Sequence, residues 1–201
     1  MIQEIVTQQE ISCLVHFTRV ENLESIMTHG IVPIATAREE LQNVYSNDEY
    51  RWDGHSDASC LSISFPNSRM FYKCRQADVN TDWVVLGVHP SILWLKDCAF
   101  CKQNAAKREI SSQPLDLLKQ PQSLLSMFQE VEGFVSRKEM GLKPFQTTDV
   151  QAEVLVFDVI EPQYIIGAVF NKSEVKSAYE RFLVGKQSLL HGINSGYFNR
   201  R

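Results

Sequence analysis

The chain has 201 residues, of which 44% are hydrophobic and 22% charged, a composition typical of one globular domain with a sizeable core. Its formal net charge of −4 excludes the overall basic character of many nucleic-acid-binding proteins, so any such contact must come from a local patch. The sequence shows no signal peptide and no apolar run of transmembrane length, and its 5 cysteines form no disulfide framework. These features predict a single domain over 1–201, without a membrane segment and located in the cytoplasm.

Hydrophobic periodicity predicts the elements of the first half of the chain. In order, they are a strand at 11–15, a helix at 20–29, a strand at 31–34, a polar surface loop at 36–59, a strand at 60–65 and a helix at 69–75. Gly30 is predicted to cap the first of these helices at its C-terminal end. Pro66-Asn67-Ser68 ends a strand and caps the helix that follows.

The second half continues the mixture of strands and helices. In order, the patterns predict strands at 83–89 and 98–100, one or two helices over 115–132 broken at Pro121, a loop at 133–148, strands at 149–159 and 164–170, and a helix at 173–183. The residues from 191 to 201 form a flexible end, a docking segment or a packed strand, and the sequence leaves these alternatives open. Because the strands and helices do not alternate regularly, the predicted fold class is α+β.

Glu153 stands near the start of the strand predicted over 149–159. A carboxylate there either faces solvent or is fixed in a cleft, and position alone favours solvent. Side chains alternate along a strand, so Gln151 and Glu153 would share one face and place an amide beside the carboxylate. This spacing favours a functional cleft without deciding the question.

Other polar residues also allow a structural interpretation. His16 follows an apolar stretch, and a single histidine there is more often structural. Cys98 and Cys101 have a zinc-like spacing, but no second pair accompanies them, so we predict no metal site. Two basic clusters are either solvated or line a groove for phosphates, and they consist of Lys102, Lys107 and Arg108, and of Arg137, Lys138 and Lys143.

Four segments resemble, in the family's order, those of the DarT-type bacterial ADP-ribosyltransferases. They begin at His16-Phe17-Thr18, Cys60-Leu61-Ser62, Asn104-Ala105-Ala106 and Gln151-Ala152-Glu153. DarT-type enzymes are toxins of toxin–antitoxin pairs that use NAD to ADP-ribosylate bases in single-stranded DNA. The resemblance implies a compact ADP-ribosyltransferase fold with a split central β-sheet flanked by helices. It further implies NAD as co-substrate, a cognate antitoxin, a monomer and a role in phage defence, with RNA, and less so protein, as alternative targets.

The resemblance also implies roles for individual residues. Glu153 would stabilise the oxocarbenium-like ribose left when nicotinamide departs, and Arg51 would enter the active site. NAD would be contacted by His16, Phe17, Thr18, Asn22, Gly30, Ile31, Met70, Phe71 and Tyr72. The nucleic acid would be contacted by Gln151, Phe145, Lys143, Asn104, Lys107 and Arg108. The sequence does not indicate which base is modified.

Overall fold

A computed structural model of the chain describes residues 1–41, 45, 52–192 and 194–201. The strands in these residues are β1 Leu14–Arg19, β2 Ser59–Ile63, β3 Trp83–Val88, β4 Cys98–Cys101, β5 Glu153–Val156, β6 Ile165–Phe170 and β7 Gln187–Leu190. The helices are α1 Ile2–Gln8, α2 Leu23–His29, α3 Ile34–Glu40, α4 Ser68–Ala77, α5 Ile92–Leu95, α6 Arg108–Ser111, α7 Leu115–Leu118, α8 Pro121–Ser126 and α9 Ser173–Tyr179. No helix in the described residues is both long and apolar enough to cross a membrane.

The described strands form one mixed sheet in the order β4-β5-β2-β1-β3-β6-β7. All neighbours are antiparallel except β6 and β7, which are parallel. The sheet is split in the middle, because β1 and β2 pair only at Leu14 with Ile63 and at Val15 with Ser62. By contrast, β1 pairs with β3 along its whole length. The predicted α+β class and split sheet are therefore confirmed.

The core lies on both faces of this sheet. One cluster packs the inward residues of the sheet, such as Leu86 and Val154, against α1, α2, α5, α8 and α9. A second, aromatic cluster covers the opposite face of β1 and β3, where Phe71 of α4 packs with Trp83 and Phe198. Phe198 is fully buried, so the segment 194–201 is packed against the domain.

Several predicted elements differ from the structure. The strand predicted at 11–15 is displaced to β1, Leu14–Arg19, so His16 lies within the strand rather than after it. The strand predicted at 31–34 is wrong, since Ile31 makes only an isolated bridge to Ile160 and α3 begins after Pro33. Proline has no backbone N–H for a ladder but suits the start of a helix. The strand predicted at 149–159 shrinks to β5, because Asp149 accepts a turn hydrogen bond from Ala152 N. The loop predicted at 36–59 begins as helix and lies partly outside the described residues.

Candidate active site

A cleft of about 350 Å³ opens where β1 and β2 separate. Its walls come from β1 and β2, the segment from α2 to α3, the start of α4, the loop after β4 and the first residue of β5. The predicted site residues that line it are His16, Phe17, Thr18, Asn22, Gly30, Ile31, Met70, Asn104 and Glu153. Tyr45, Trp52 and Asp53 also line it and were not predicted from the sequence. The cleft thus gathers residues from all four segments that the sequence singles out, because Cys60, Leu61 and Ser62 line it as well.

Glu153 is 6% exposed and lies in the wall of this cleft. Its Oε2 accepts a hydrogen bond of 2.8 Å from the backbone N–H of Ala105. Its Oε1 accepts longer hydrogen bonds from the side-chain amides of Asn67, at 3.4 Å, and Asn104, at 3.5 Å. A buried carboxylate is costly unless donors surround it, and these donors both stabilise its charge and fix its orientation.

The topology explains why these donors meet at Glu153. Both neighbours of β5 run antiparallel to it, so the chain that leaves each of them passes the start of β5. At the end of β4, Cys101 pairs with Glu153, and the following residues bring Asn104 and Ala105 to the carboxylate. After the end of β2, the chain bends at Ser64 and Phe65 and brings Asn67 to the carboxylate.

Asn67 is a site residue that the sequence analysis treated only as a helix cap. Its Oδ1 accepts a hydrogen bond from Met70 N at 3.1 Å and so caps α4, while its Nδ2 donates to Glu153. Its own backbone N–H donates to Ser62 Oγ. Because one end of the amide is held by the helix, the other end must present its donors to the carboxylate.

His16 occupies the point where the β1–β2 ladder ends. Its Nδ1 lies 2.9 Å from the backbone oxygen of Cys60, and since a carbonyl only accepts, Nδ1 is the donor. The imidazole N–H thus takes the place of a backbone N–H as the donor to the Cys60 carbonyl of β2. Burial lowers the pKa of His16 below its usual 6.5, which favours the neutral ring. In that tautomer Nε2 is an acceptor for a hydroxyl group in the cleft.

Thr18 and Asn22 form the part of the cleft wall that contacts Tyr45. Asn22 Nδ2 donates to Thr18 Oγ1 at 2.9 Å and to the backbone oxygen of Tyr45 at 2.8 Å. Its Oδ1 accepts from Tyr45 N. Two hydrogen bonds between Asn22 and the backbone of Tyr45 therefore hold Tyr45 at the cleft. The bond to Thr18 Oγ1 orients the Asn22 amide.

Two predicted NAD contacts lie away from the cleft. The ring of Phe71 is buried on the opposite face of the sheet, stacked on Phe17 with 4.6 Å between ring centroids. The guanidinium of Arg200 lies over the ring of Tyr72, with 3.7 Å between the guanidinium carbon and the ring centroid. The helical turn at 70–72 sends successive side chains in different directions, so only Met70 lines the cleft.

Gln151 lies in the turn before β5 rather than in the strand, so alternation does not fix its direction. Its Oε1 accepts from Arg69 Nη1 at 3.2 Å, and its backbone N–H donates to Asp149 Oδ1 at 2.8 Å. The amide of Gln151 is thus held by its oxygen, which leaves its NH₂ group as the donor for a ligand.

The loop that carries Lys143 and Phe145, two predicted nucleic-acid contacts, is organised by Arg137. This guanidinium donates to the backbone oxygens of Gln146 and Lys143 and to Thr148 Oγ1. Lys143 is exposed and Phe145 half-buried, and neither lines the cleft. The loop therefore has a defined shape beside the cleft.

The other predicted residues are placed as follows. Lys107 Nζ donates to Gln103 Oε1, and Arg108 is exposed at the start of α6, so both lie on the loop that carries Asn104 and Ala105. Arg51 lies outside the described residues.

The thiols of Cys98 and Cys101 are buried in β4. Burial raises the pKa of each to about 12, so both are protonated at neutral pH. Cys98 Sγ donates to the backbone oxygen of Ile92 at 3.5 Å. Within the described residues, no group of three or more His, Cys, Asp and Glu side chains is placed to hold a metal ion.

The arrangement places a fixed, buried carboxylate and a neutral imidazole in the walls of one cleft. The carboxylate can stabilise positive charge that develops on a bound ligand, and the imidazole can accept a hydrogen bond from one of its hydroxyl groups. A glycosyl centre that becomes cationic as its leaving group departs needs this combination.

Comparison with known proteins agrees with this chemistry. A family model described as "DarT: ssDNA thymidine ADP-ribosyltransferase, DarT" matches residues 15–198. No curated protein sequence matches the chain.

Solved structures similar to the chain share its fold at low sequence identity. Thermosipho africanus DarTG in complex with ADP-ribose has a TM-score of 0.61 and 18% identity, over 94% of this chain and 52% of that one. The chain thus spans about half the length of that relative. Thermus sp. 2.9 DarT in complex with NAD+ has a TM-score of 0.57 and 13% identity, over 90% of this chain and 96% of that one. The same enzyme in complex with ADP-ribosylated ssDNA gives a TM-score of 0.56 at 13% identity, over 90% and 95% of the two chains.

Proposed function

This chain belongs to the DarT family of single-stranded DNA thymidine ADP-ribosyltransferases, and on that premise we propose that it transfers ADP-ribose from NAD to thymidine in single-stranded DNA. The observation that carries the proposal is the Glu153 carboxylate, buried in the cleft wall and held by donors from two loops. The cleft also contains His16, whose tautomer leaves an acceptor for a ribose hydroxyl.

In the proposed reaction, the bond between ribose C1 of NAD and the nicotinamide nitrogen breaks, and nicotinamide leaves with the bonding electrons. Glu153 stabilises the positive charge on the ribose and accepts a hydrogen bond from its 2′-hydroxyl. A nitrogen of the thymine base then bonds to C1 with its electron pair and releases its proton, which the Glu153 carboxylate or a water molecule accepts. Gln151 holds the base by donating its amide N–H to a carbonyl oxygen of the base edge.

Several cleft residues are proposed to hold NAD. His16, Phe17, Thr18, Asn22, Gly30, Ile31 and Met70 line the cavity, which supports this assignment. Asn104 lines it beside Glu153 and would contact the target base. Arg51 remains a proposed active-site residue on the family resemblance alone. Phe71 and Tyr72 are not proposed as contacts, because they lie away from the cavity.

We further propose that residues 1–201 act as one catalytic domain in the cytoplasm, as a monomer, and that a partner protein neutralises it. The similarity to Thermosipho africanus DarTG supports such a partner, because that chain is about twice as long as the part matched here. The monomer is proposed on the family resemblance alone.

The test is mass spectrometry of short mixed-sequence DNA and RNA strands incubated with the protein and NAD. We expect one ADP-ribose to be added to DNA that contains thymine, and fragmentation to place it on that base. Glu153→Gln keeps the size of the side chain but removes its charge, so the rate should fall about 100- to 1,000-fold. Glu174→Gln is the matched control, because Glu174 is an exposed carboxylate on α9. Modification of RNA alone, or of protein alone, would overturn the assigned target.

A further inference from the structure

Three arginines gather beside the turn that precedes β5, although the chain as a whole carries a net charge of −4. They are Arg69, Arg200 and Arg201, which we call the arginine face. The sequence analysis assigned phosphate contacts to other residues, namely Lys143, Lys107 and Arg108. The arginine face lies on the side of α4, whereas Lys107 and Arg108 lie on the loop after β4.

Contacts with α4 and with the turn before β5 place these arginines together. Arg69, at the start of α4, donates to Gln151 Oε1. Arg201 spans the same two elements, because its backbone N–H donates to Ser68 Oγ at 3.4 Å and its Nη2 to the backbone oxygen of Thr147 at 2.5 Å. Arg200 packs over the ring of Tyr72, one turn further along α4.

The segment that carries two of these arginines is firmly held. Phe198 is fully buried against Phe71, with 5.4 Å between ring centroids, and its backbone oxygen accepts from Arg75 Nη2 at 2.8 Å. Arg200 itself is exposed. Its charge is therefore presented to solvent from a fixed position, which reduces the entropy lost when a ligand binds.

A further arginine, Arg137, lies near Arg201. The pKa of Arg201 is lowered first by burial and then by the nearby positive charge of Arg137, whereas Asp149 raises it. Asp149 already accepts hydrogen bonds from Gln103 Nε2 and Gln151 N. Like charges held together repel each other, and an anionic ligand relieves that repulsion.

We propose that Arg69, Arg200 and Arg201 bind backbone phosphates of the DNA strand next to the target nucleotide, an inference that rests on the proposed function. Guanidinium groups match phosphate oxygens in geometry as well as charge. Arg69 also holds the oxygen of Gln151, so one side chain links phosphate binding to the amide that faces the base. The ring of Tyr72 holds the guanidinium of Arg200 by a cation–π contact.

The test measures how binding of a fluorescent, thymine-containing DNA strand depends on salt, by fluorescence anisotropy without NAD. Each phosphate contact on a single strand contributes about 0.7 to the slope of log affinity against log salt. The double variant Arg69→Ala/Arg200→Ala should lower that slope by about 1.4 and weaken binding about tenfold or more at low salt. Both side chains are exposed, so the fold should tolerate the change.

The control is Arg181→Ala, which removes an exposed arginine located between α9 and β7, near the other edge of the sheet. It should leave the slope unchanged. Arg201→Lys serves as a second variant, because it keeps the charge but loses the guanidinium fork, and it should weaken binding with a nearly unchanged slope.

Two results would overturn the proposal in distinguishable ways. If the wild-type protein modifies DNA but the double variant keeps the wild-type slope, the arginine face is not a phosphate site and the proposed function stands. If the wild-type protein neither binds nor modifies single-stranded DNA, both proposals fail together.

Discussion

Asn67 shows how one side chain joins a helix to the Glu153 carboxylate. Its amide oxygen caps α4 and its amide nitrogen donates to Glu153 Oε1. The cap contributes to local stability, whereas the second hydrogen bond orients the carboxylate that is proposed to act on the substrate. These roles can be separated, because a serine keeps a capping oxygen but is too short and has no amide to reach the carboxylate.

We therefore predict different effects for two substitutions of Asn67. Asn67→Ala should lower the free energy of unfolding by about 1 kcal/mol more than Asn67→Ser, since only alanine loses the cap. Both should lower the transfer rate by a similar factor of about ten, which corresponds to one hydrogen bond to a charged group. Urea denaturation and the rate of nicotinamide release measure the two effects. A serine variant with wild-type activity would show that Asn67 does not position Glu153.

His16 gives a prediction about pH. Because burial lowers the pKa of His16, the folded state binds fewer protons than the unfolded state between that lowered pKa and 6.5. The neutral ring thus contributes stability that is fully present above pH 6.5 and is lost as the pH falls through this window. His16→Gln can still donate to the Cys60 carbonyl but does not titrate.

The measurement compares the unfolding free energies of the wild-type protein and His16→Gln from about pH 7.5 to about pH 5. The wild-type value should fall relative to the variant only below pH 6.5, the usual pKa of histidine. The acid limb of NAD turnover should likewise lie below pH 6.5, since the neutral ring is the one that accepts a hydroxyl hydrogen bond. Equal pH dependence of the two proteins would contradict the assigned protonation state.

At the scale of elements, the end of α2 beside the cleft depends on the close approach of the Gly30 backbone to Ile160. Gly30 ends α2 with a φ of 92° and its backbone passes directly against Ile160, with which Ile31 forms an isolated bridge. A Cβ at this position would overlap the Ile160 backbone oxygen. The sequence analysis predicted the glycine at the helix end, whereas the close neighbour comes from a distant segment.

Gly30→Ala should consequently destabilise the protein more than Gly133→Ala. Gly133 also has a positive φ, of 81°, but no heavy atom of the described residues lies within 4 Å of the position that a Cβ would take there. The backbone strain of a positive φ costs about 1–2 kcal/mol in both variants, and overlap adds to it only at Gly30. Thermal and urea unfolding of the two variants measure the difference. Equal losses would show that the Ile160 backbone moves away without cost.

At the scale of the whole molecule, the segment 194–201 packs on the aromatic cluster that covers one face of the sheet. Phe198 packs with Phe71, which in turn stacks on Phe17 of β1, so this segment supports the strand that carries His16. The same segment brings Arg200 and Arg201 to the arginine face. Its packing therefore couples the stability of the domain to the proposed DNA contacts.

Phe198→Ala should lower the free energy of unfolding by about 3–5 kcal/mol, the usual cost of removing a buried phenylalanine. Leu190→Ala is the control, because Leu190 is 49% exposed and its loss should cost well under half as much. Denaturant unfolding followed by tryptophan fluorescence is a suitable measurement, since Trp83 lies in the same cluster. Equal losses in the two variants would show that the segment does not contribute to the core.

The sequence alone determined the elements whose patterns are local and the family whose segments they carry. The strand β3, the helix α4 and the cap at Asn67 follow from neighbouring residues, and Glu153 stood out by its place beside an apolar run. Only the tertiary structure decided which groups surround the carboxylate, because Asn67 and Glu153 are 86 positions apart and meet through strand pairing. It also decided that Phe71 faces the core and that the segment 194–201 brings arginines to the site. Periodicity records which residues prefer burial, whereas the partners of a polar group depend on where distant segments cross.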